Sequence, residues 1–182
     1  MRAAPGRADG GPAGPRVLCT PRREAPRPIL VLGIGNLLMG DEGIGVHAVR
    51  RLEQEDSLPP GVRVVDGGTG GFHLLSYLDE HDTVVMIDAT MDGQPPGTLS
   101  WIEPRHAADF PRSLTAHDIG LRDLVESAAL LGSLPRIHLL TVSVAGLQPM
   151  QTSLTPALEA ALPRVVEQVV EFVHRLGSGL DS

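Results

Sequence analysis

The chain has 182 residues, 42% hydrophobic and 20% charged, which suits one globular domain. Its net charge of −7, with no basic stripe, argues against a nucleic-acid partner, which needs clustered cations to displace counterions. All 15 cations are arginine, so Schiff-base lysine chemistry and a P-loop lysine are excluded, and the single cysteine, Cys19, excludes an internal disulfide or a cysteine-based zinc site.

Residues 1–27 are rich in Arg, Ala, Gly and Pro and lack apolar periodicity. They are expected to be a disordered extension, leaving residues 28–178 as a single α/β domain. Arg22-Arg23 hints at a twin-arginine signal. Pro26 and Pro28 follow it, however, the next apolar run is short, and no small-residue cleavage site comes after. No apolar run reaches membrane-spanning length, so a cytoplasmic protein without membrane contact is expected.

The first strand is read at Ile29–Ile34, a near-continuous apolar run of the kind buried on both faces. A helix follows over roughly Asp41–Glu55, with Ile44, Ala48 and Leu52 on one face, and Pro59-Pro60-Gly61 ends it. The second strand, Val62–Val65, stops at Asp66. After a glycine-rich turn comes a short helix, Phe72–Leu78, and then the third strand, Thr83–Ile87, stopping at Asp88. Thr98–Ile102 follows a short connection and is expected to run antiparallel at a sheet edge. The next helix covers Asp118–Leu131, with Leu121, Leu124, Val125 and Ala128 facing inward, and Ile137–Val144 is the fifth strand. Thr155 is positioned as an N-cap with Pro156 at the first helical position. Leu158, Leu162, Val165, Val169, Phe172 and Leu176 then mark the last helix, in which Pro163 predicts a kink. This order implies a three-layer α/β fold: a five-stranded, mostly parallel, twisted sheet with helices on both faces and one antiparallel edge strand.

The stretch GIGNLLMGDEGIG, Gly33 to Gly45, stands where a dinucleotide-binding loop would stand. Gly33 and Gly35 fit that fingerprint, and Asp66 ends the second strand as its acidic residue would. The third glycine position, however, is Leu38. Asp41 and Glu42 also open the helix and would repel a pyrophosphate from its N-terminus. An acidic first turn can simply complement the helix dipole, and for an isolated example that is the simpler reading.

Ligands of open α/β sheets bind beyond the carboxyl ends of the strands, where the strand order reverses. With an order 2-1-3, Glu42 after the first strand and Asp88 after the third would flank one crevice, and His117 could reach the same rim. A Glu, an Asp and a His make an N/O site for a divalent metal such as zinc or nickel, with positions left for water or substrate. Each also has a plainer reading: Asp88 as a loop cap, His117 as a helix-start residue. Of the other histidines, His47 reads as a surface residue and His73 as ambiguous. His81, His106, His138 and His174 have no partner at metal-binding spacing.

GIGNLLMGDEGIG, DGGTGGFHLL, VVMIDAT, LTAHDIGLRDLV and LTPALEAALPRVVEQV occur in this order. Together they resemble the hydrogenase maturation endopeptidases, over about Ile29 to Leu176. The resemblance implies a cytoplasmic protease that removes a C-terminal peptide from the large-subunit precursor of a nickel-iron hydrogenase after nickel insertion. It implies that Glu42, Asp88 and His117 contact the metal and carry catalysis, with nickel supplied by the substrate rather than held permanently. It also places Asp66, Gly67, Gly68 and Thr69 beside the substrate cleft. GLQPM, Gly146 to Met150, departs from the family pattern at Met150. Two alternatives stand beside this reading: a non-catalytic chaperone of the metallated large subunit, and a nucleotide-binding α/β protein.

Overall fold

In β1 (Ile29–Gly33), Leu30, Val31 and Leu32 are all fully buried. A strand apolar at consecutive positions must be covered on both faces. β1 accordingly lies inside the sheet, parallel to β2 (Val62–Asp66) on one side and β3 (Thr83–Thr90) on the other. β5 (Arg136–Ser143) pairs parallel with β3, and β4 (Leu99–Ile102) pairs antiparallel with β5 at the edge. The sheet order is β2-β1-β3-β5-β4. These features come from a computed structural model that describes residues 28–106, 109–110, 121–132 and 134–178. Residues 1–27, His117 and Asp118 lie outside the described residues.

Side-chain alternation along the strands divides the interior into two layers. Val31, Val85, Ile87 and Val142 pack with α1 (Ile44–Glu55) and α4 (Pro156–Gly177). Leu30, Leu32, Val84, Met86 and Leu139 pack with α2 (Leu75–Glu80) and α3 (Leu121–Leu130). Helices therefore cover both faces, and all four residues predicted inward on α3, Leu121, Leu124, Val125 and Ala128, are buried.

Some boundaries differ from the sequence reading. Gly40–Gly43 forms a tight 3-10 turn, and α1 starts only at Ile44. The short helix likewise opens with a 3-10 turn, Phe72–Leu74, and runs on to Glu80. β3 continues past Asp88 to Thr90 because β5 keeps pairing with it, Asp88 opposite Thr141 and Thr90 opposite Ser143. Pro156 opens α4 as expected, and α4 continues as one helix through Pro163.

Candidate active site

β1 ends at Gly33, which pairs with Ile87 of β3. Asp88 is thus the first residue of β3 beyond the end of β1, at the point where the chain leaves β1 for β2 on one side and returns as β3 on the other. The space is filled by the segment that follows β1. Gly45, in the first turn of α1, lies so close to the sheet that a Cβ there would collide with the carbonyl oxygens of Ile34 and Ile87. Gly35, at φ +145°, lies against the carbonyl of Glu42 in the same way. The glycines thus serve close backbone packing, and the 3-10 turn carrying Glu42 is pressed down onto the rim beside Asp88.

The two acidic residues of this turn have different tasks. Asp41 is 2% exposed and reaches across to the start of α4. Its Oδ1 accepts the Thr155 N–H (2.7 Å) and its Oδ2 accepts the Thr155 hydroxyl (2.9 Å). Its own N–H donates to Oε1 of Gln148 (2.8 Å). Asp41 therefore complements the N-terminus of α4 rather than of the helix it precedes. Thr155 holds the N-cap position, but its hydroxyl goes to Asp41 instead of to the helix.

Glu42 is 7% exposed, and its negative charge acts on Asp88. The Asp88 carboxyl is raised to about 7, chiefly by burial and further by Glu42, against the lowering effect of the Ala89 N–H that it accepts. That N–H lies 2.8 Å from its Oδ1. Two largely buried carboxyl groups whose charges oppose each other are suited to a cation, which would relieve both the desolvation and the repulsion. By strand alternation Asp88 shares the face of Val84 and Met86, the face that α3 covers. Among the described residues no group of three His, Cys, Asp or Glu side chains could hold a metal ion. The third member proposed from the sequence, His117, is outside them.

The Asp66–Thr69 loop borders the same rim. The Gly35 N–H donates to the Gly68 carbonyl and the Gly67 N–H to the Gly33 carbonyl, both at 2.8 Å. Asp66 shapes this loop: its Oδ1 accepts the Gly68 N–H (3.0 Å), and its Oδ2 pairs with Arg50 of α1 (2.9 Å). Gly67 is buried, while Gly68 is half-buried and Thr69 exposed. His47, expected at the surface, is half-buried on α1. His81 is buried, with Nδ1 against the Tyr77 carbonyl at 2.6 Å, and His138 packs edge-on to Phe172. Gln148 and Thr155 fix the acidic turn, and sequence reasoning gave neither a role there. Their partner Asp41 lies 107 and 114 positions away, so no local pattern marks the contact.

A family model described as hydrogenase maturation protease matches residues 46–172. The chain belongs to the hydrogenase maturation protease family. Among similar proteins, the hydrogenase 2 maturation protease of Escherichia coli is 36% identical over 152 residues, covering 82% of this chain and 92% of that protein. The hydrogenase expression/formation protein HupD of Thiocapsa roseopersicina is 35% identical over 156 residues, 82% of this chain and 69% of its own. The solved structure of the hydrogenase maturating endopeptidase HybD from E. coli superposes with a TM-score of 0.73 at 35% identity, covering 82% of this chain and 94% of that one. The maturation-protease segment that the family model matches includes Asp88 and begins just after Glu42. No helix among the described residues is long and apolar enough to cross a membrane.

Proposed function

We propose that this maturation protease is a cytoplasmic endopeptidase that removes the C-terminal peptide from the large-subunit precursor of a nickel-iron hydrogenase. In this reading Glu42, Asp88 and His117 recognise the nickel already carried by that substrate. Glu42 and Asp88 offer anionic oxygens and His117 a neutral imidazole, a donor set that suits a borderline divalent ion. The observation that carries the reading is the pairing of Glu42 with Asp88 at the strand-order reversal, with the Asp88 carboxyl raised to about 7.

That pairing explains how cleavage can depend on metal insertion. Facing a substrate without nickel, the two carboxyl groups have no cation to bind, and burial and Glu42 favour the protonated form of Asp88. Facing nickel, Asp88 releases the proton and both carboxylates face the ion, so the attached polypeptide is held against the rim. Fixing the scissile peptide this way removes part of the entropic barrier to its cleavage. In this reading the Asp66–Thr69 loop, with Thr69 exposed on it, helps to receive the substrate chain.

The test is mass spectrometry of a nickel-loaded large-subunit precursor incubated with and without the protein. Loss of a C-terminal peptide supports a protease, whereas binding without a mass change supports the chaperone alternative. Glu42→Gln, Asp88→Asn and His117→Ala should each abolish processing while circular dichroism stays that of the wild type. Normal processing by all three would sink the proposed site.

A further inference from the structure

Two β-turns stand side by side next to Glu42. In the first, the Met39 N–H donates to the Asn36 carbonyl (3.0 Å), and in the second the Gln151 N–H donates to the Gln148 carbonyl (3.2 Å). They are joined by a parallel bridge between Met39 and Gln151. The Gly40 N–H donates to the Gln151 carbonyl (2.7 Å) and the Gln148 N–H to the Met39 carbonyl (3.2 Å). The contact from the Asp41 N–H to the Gln148 side chain extends this seam into the 3-10 turn that carries Glu42.

Each turn has a large apolar residue at its third position, Leu38 at 55% and Met150 at 86% exposed. Met150 is also held at φ +64°, in the left-handed region. With Pro149 before it, this is a type II turn, whose third position calls for glycine or asparagine. A methionine there costs on the order of 1 kcal/mol in backbone strain. Its exposure shows that burial does not offset this cost. A flexible apolar side chain displayed to solvent at a strained position suits contact with another polypeptide. Phe72 after β2 and Met91 after β3, 54% and 50% exposed, follow strands that end at the same end of the sheet. Leu130 and Leu131 are also exposed, but they precede β5 at the opposite end.

We propose that Leu38 and Met150 are substrate-contact residues that seat an apolar side chain of the large-subunit precursor close to its cleaved segment. The Gln148–Gln151 turn is hydrogen-bonded to Gly40 and Asp41, and the Asn36–Met39 turn runs directly into Gly40, so together they hold that contact at a fixed distance from the candidate metal-recognising carboxylate. This proposal rests on the function proposed above.

The experiment measures processing and binding of nickel-loaded precursor by the full chain and by variants. Leu38→Ser combined with Met150→Ser should raise KM about tenfold with a much smaller change in kcat, and Met150→Leu should retain a near wild-type KM. Leu130→Ser, at the far end, should leave both constants unchanged. Met150→Gly should raise Tm, since it relieves the strained turn, while raising KM; a purely structural residue would not move the two together. A KM for the double variant within about twofold of wild type would overturn the proposal. If the wild type binds the precursor without cutting it, the protease reading falls and the variants' Kd decides the contact proposal in place of KM. Absence of wild-type binding overturns both.

Discussion

With its carboxyl raised to about 7 by burial and by Glu42, Asp88 keeps a proton over a range where an ordinary aspartate is charged. Between the ordinary value of 3.8 and about 7, the folded protein holds this proton and the unfolded chain does not. Stability from this group therefore falls as pH rises through that window. Asp88→Asn mimics the protonated form and should be more stable than wild type by about 1–3 kcal/mol at pH ~8, read from urea midpoints. The range sits below the full value of the shift because Asp88 is only partly shielded from water. The gain should vanish towards pH ~4, where both states are protonated. Processing should show the opposite dependence, rising through pH ~7 as the carboxylate becomes available to the metal; a flat profile across that range would rule out a required Asp88 anion. The conflict between the acidic pair and a phosphate loop was readable in the sequence, because both residues carry negative charge at the helix start. The separate task of Asp41 was not readable, because adjacent carboxylates look alike until the fold shows where each one points.

At the scale of elements, the 3-10 turn is a rigid mount for Glu42, fixed from below by glycine packing and from the side by Asp41. Asp41→Ala removes the acceptors for the N–H and hydroxyl of Thr155 and should cost about 2–4 kcal/mol, measured by chemical denaturation. Gly45→Ala should cost at least ~2 kcal/mol, because its Cβ would meet two backbone carbonyls rather than a movable side chain. Wild-type stability in both variants would refute this account of the mount. The strands and helices themselves were legible, since continuous apolar runs and periodic faces report burial directly. The end of β3 was not. Asp88 reads as a stop signal, yet β5 carries the pairing on to Thr90. The polar side chain is accommodated within the strand because β1 has already ended beside it.

For the molecule as a whole, periodicity gave a mostly parallel sheet but not the order of its strands, since a crossover to either side leaves the same pattern in the sequence. The observed order β2-β1-β3-β5-β4 gathers the loops after β1, β2 and β3 at one end. A nucleotide-binding protein of similar topology would put phosphate at the helix start. Here that place holds Glu42, on a turn buried between β1 and β3. Adding millimolar NAD or ATP should therefore leave Tm unchanged; a rise that grows with ligand concentration would restore the nucleotide reading.

The clasp between Asp41 and Thr155 also sets an order of assembly. The turn that carries Glu42 is made early in synthesis, but the groups that secure it arrive 114 residues later, at the start of the last helix. A nascent chain that has not reached Thr155 already carries Glu42 and Asp88 but lacks the two Thr155 bonds that hold the Asp41 side chain. The final helix is thus part of the timing of the site as well as of the core. The mount for Glu42 is complete only once Thr155 and the start of α4 have been made.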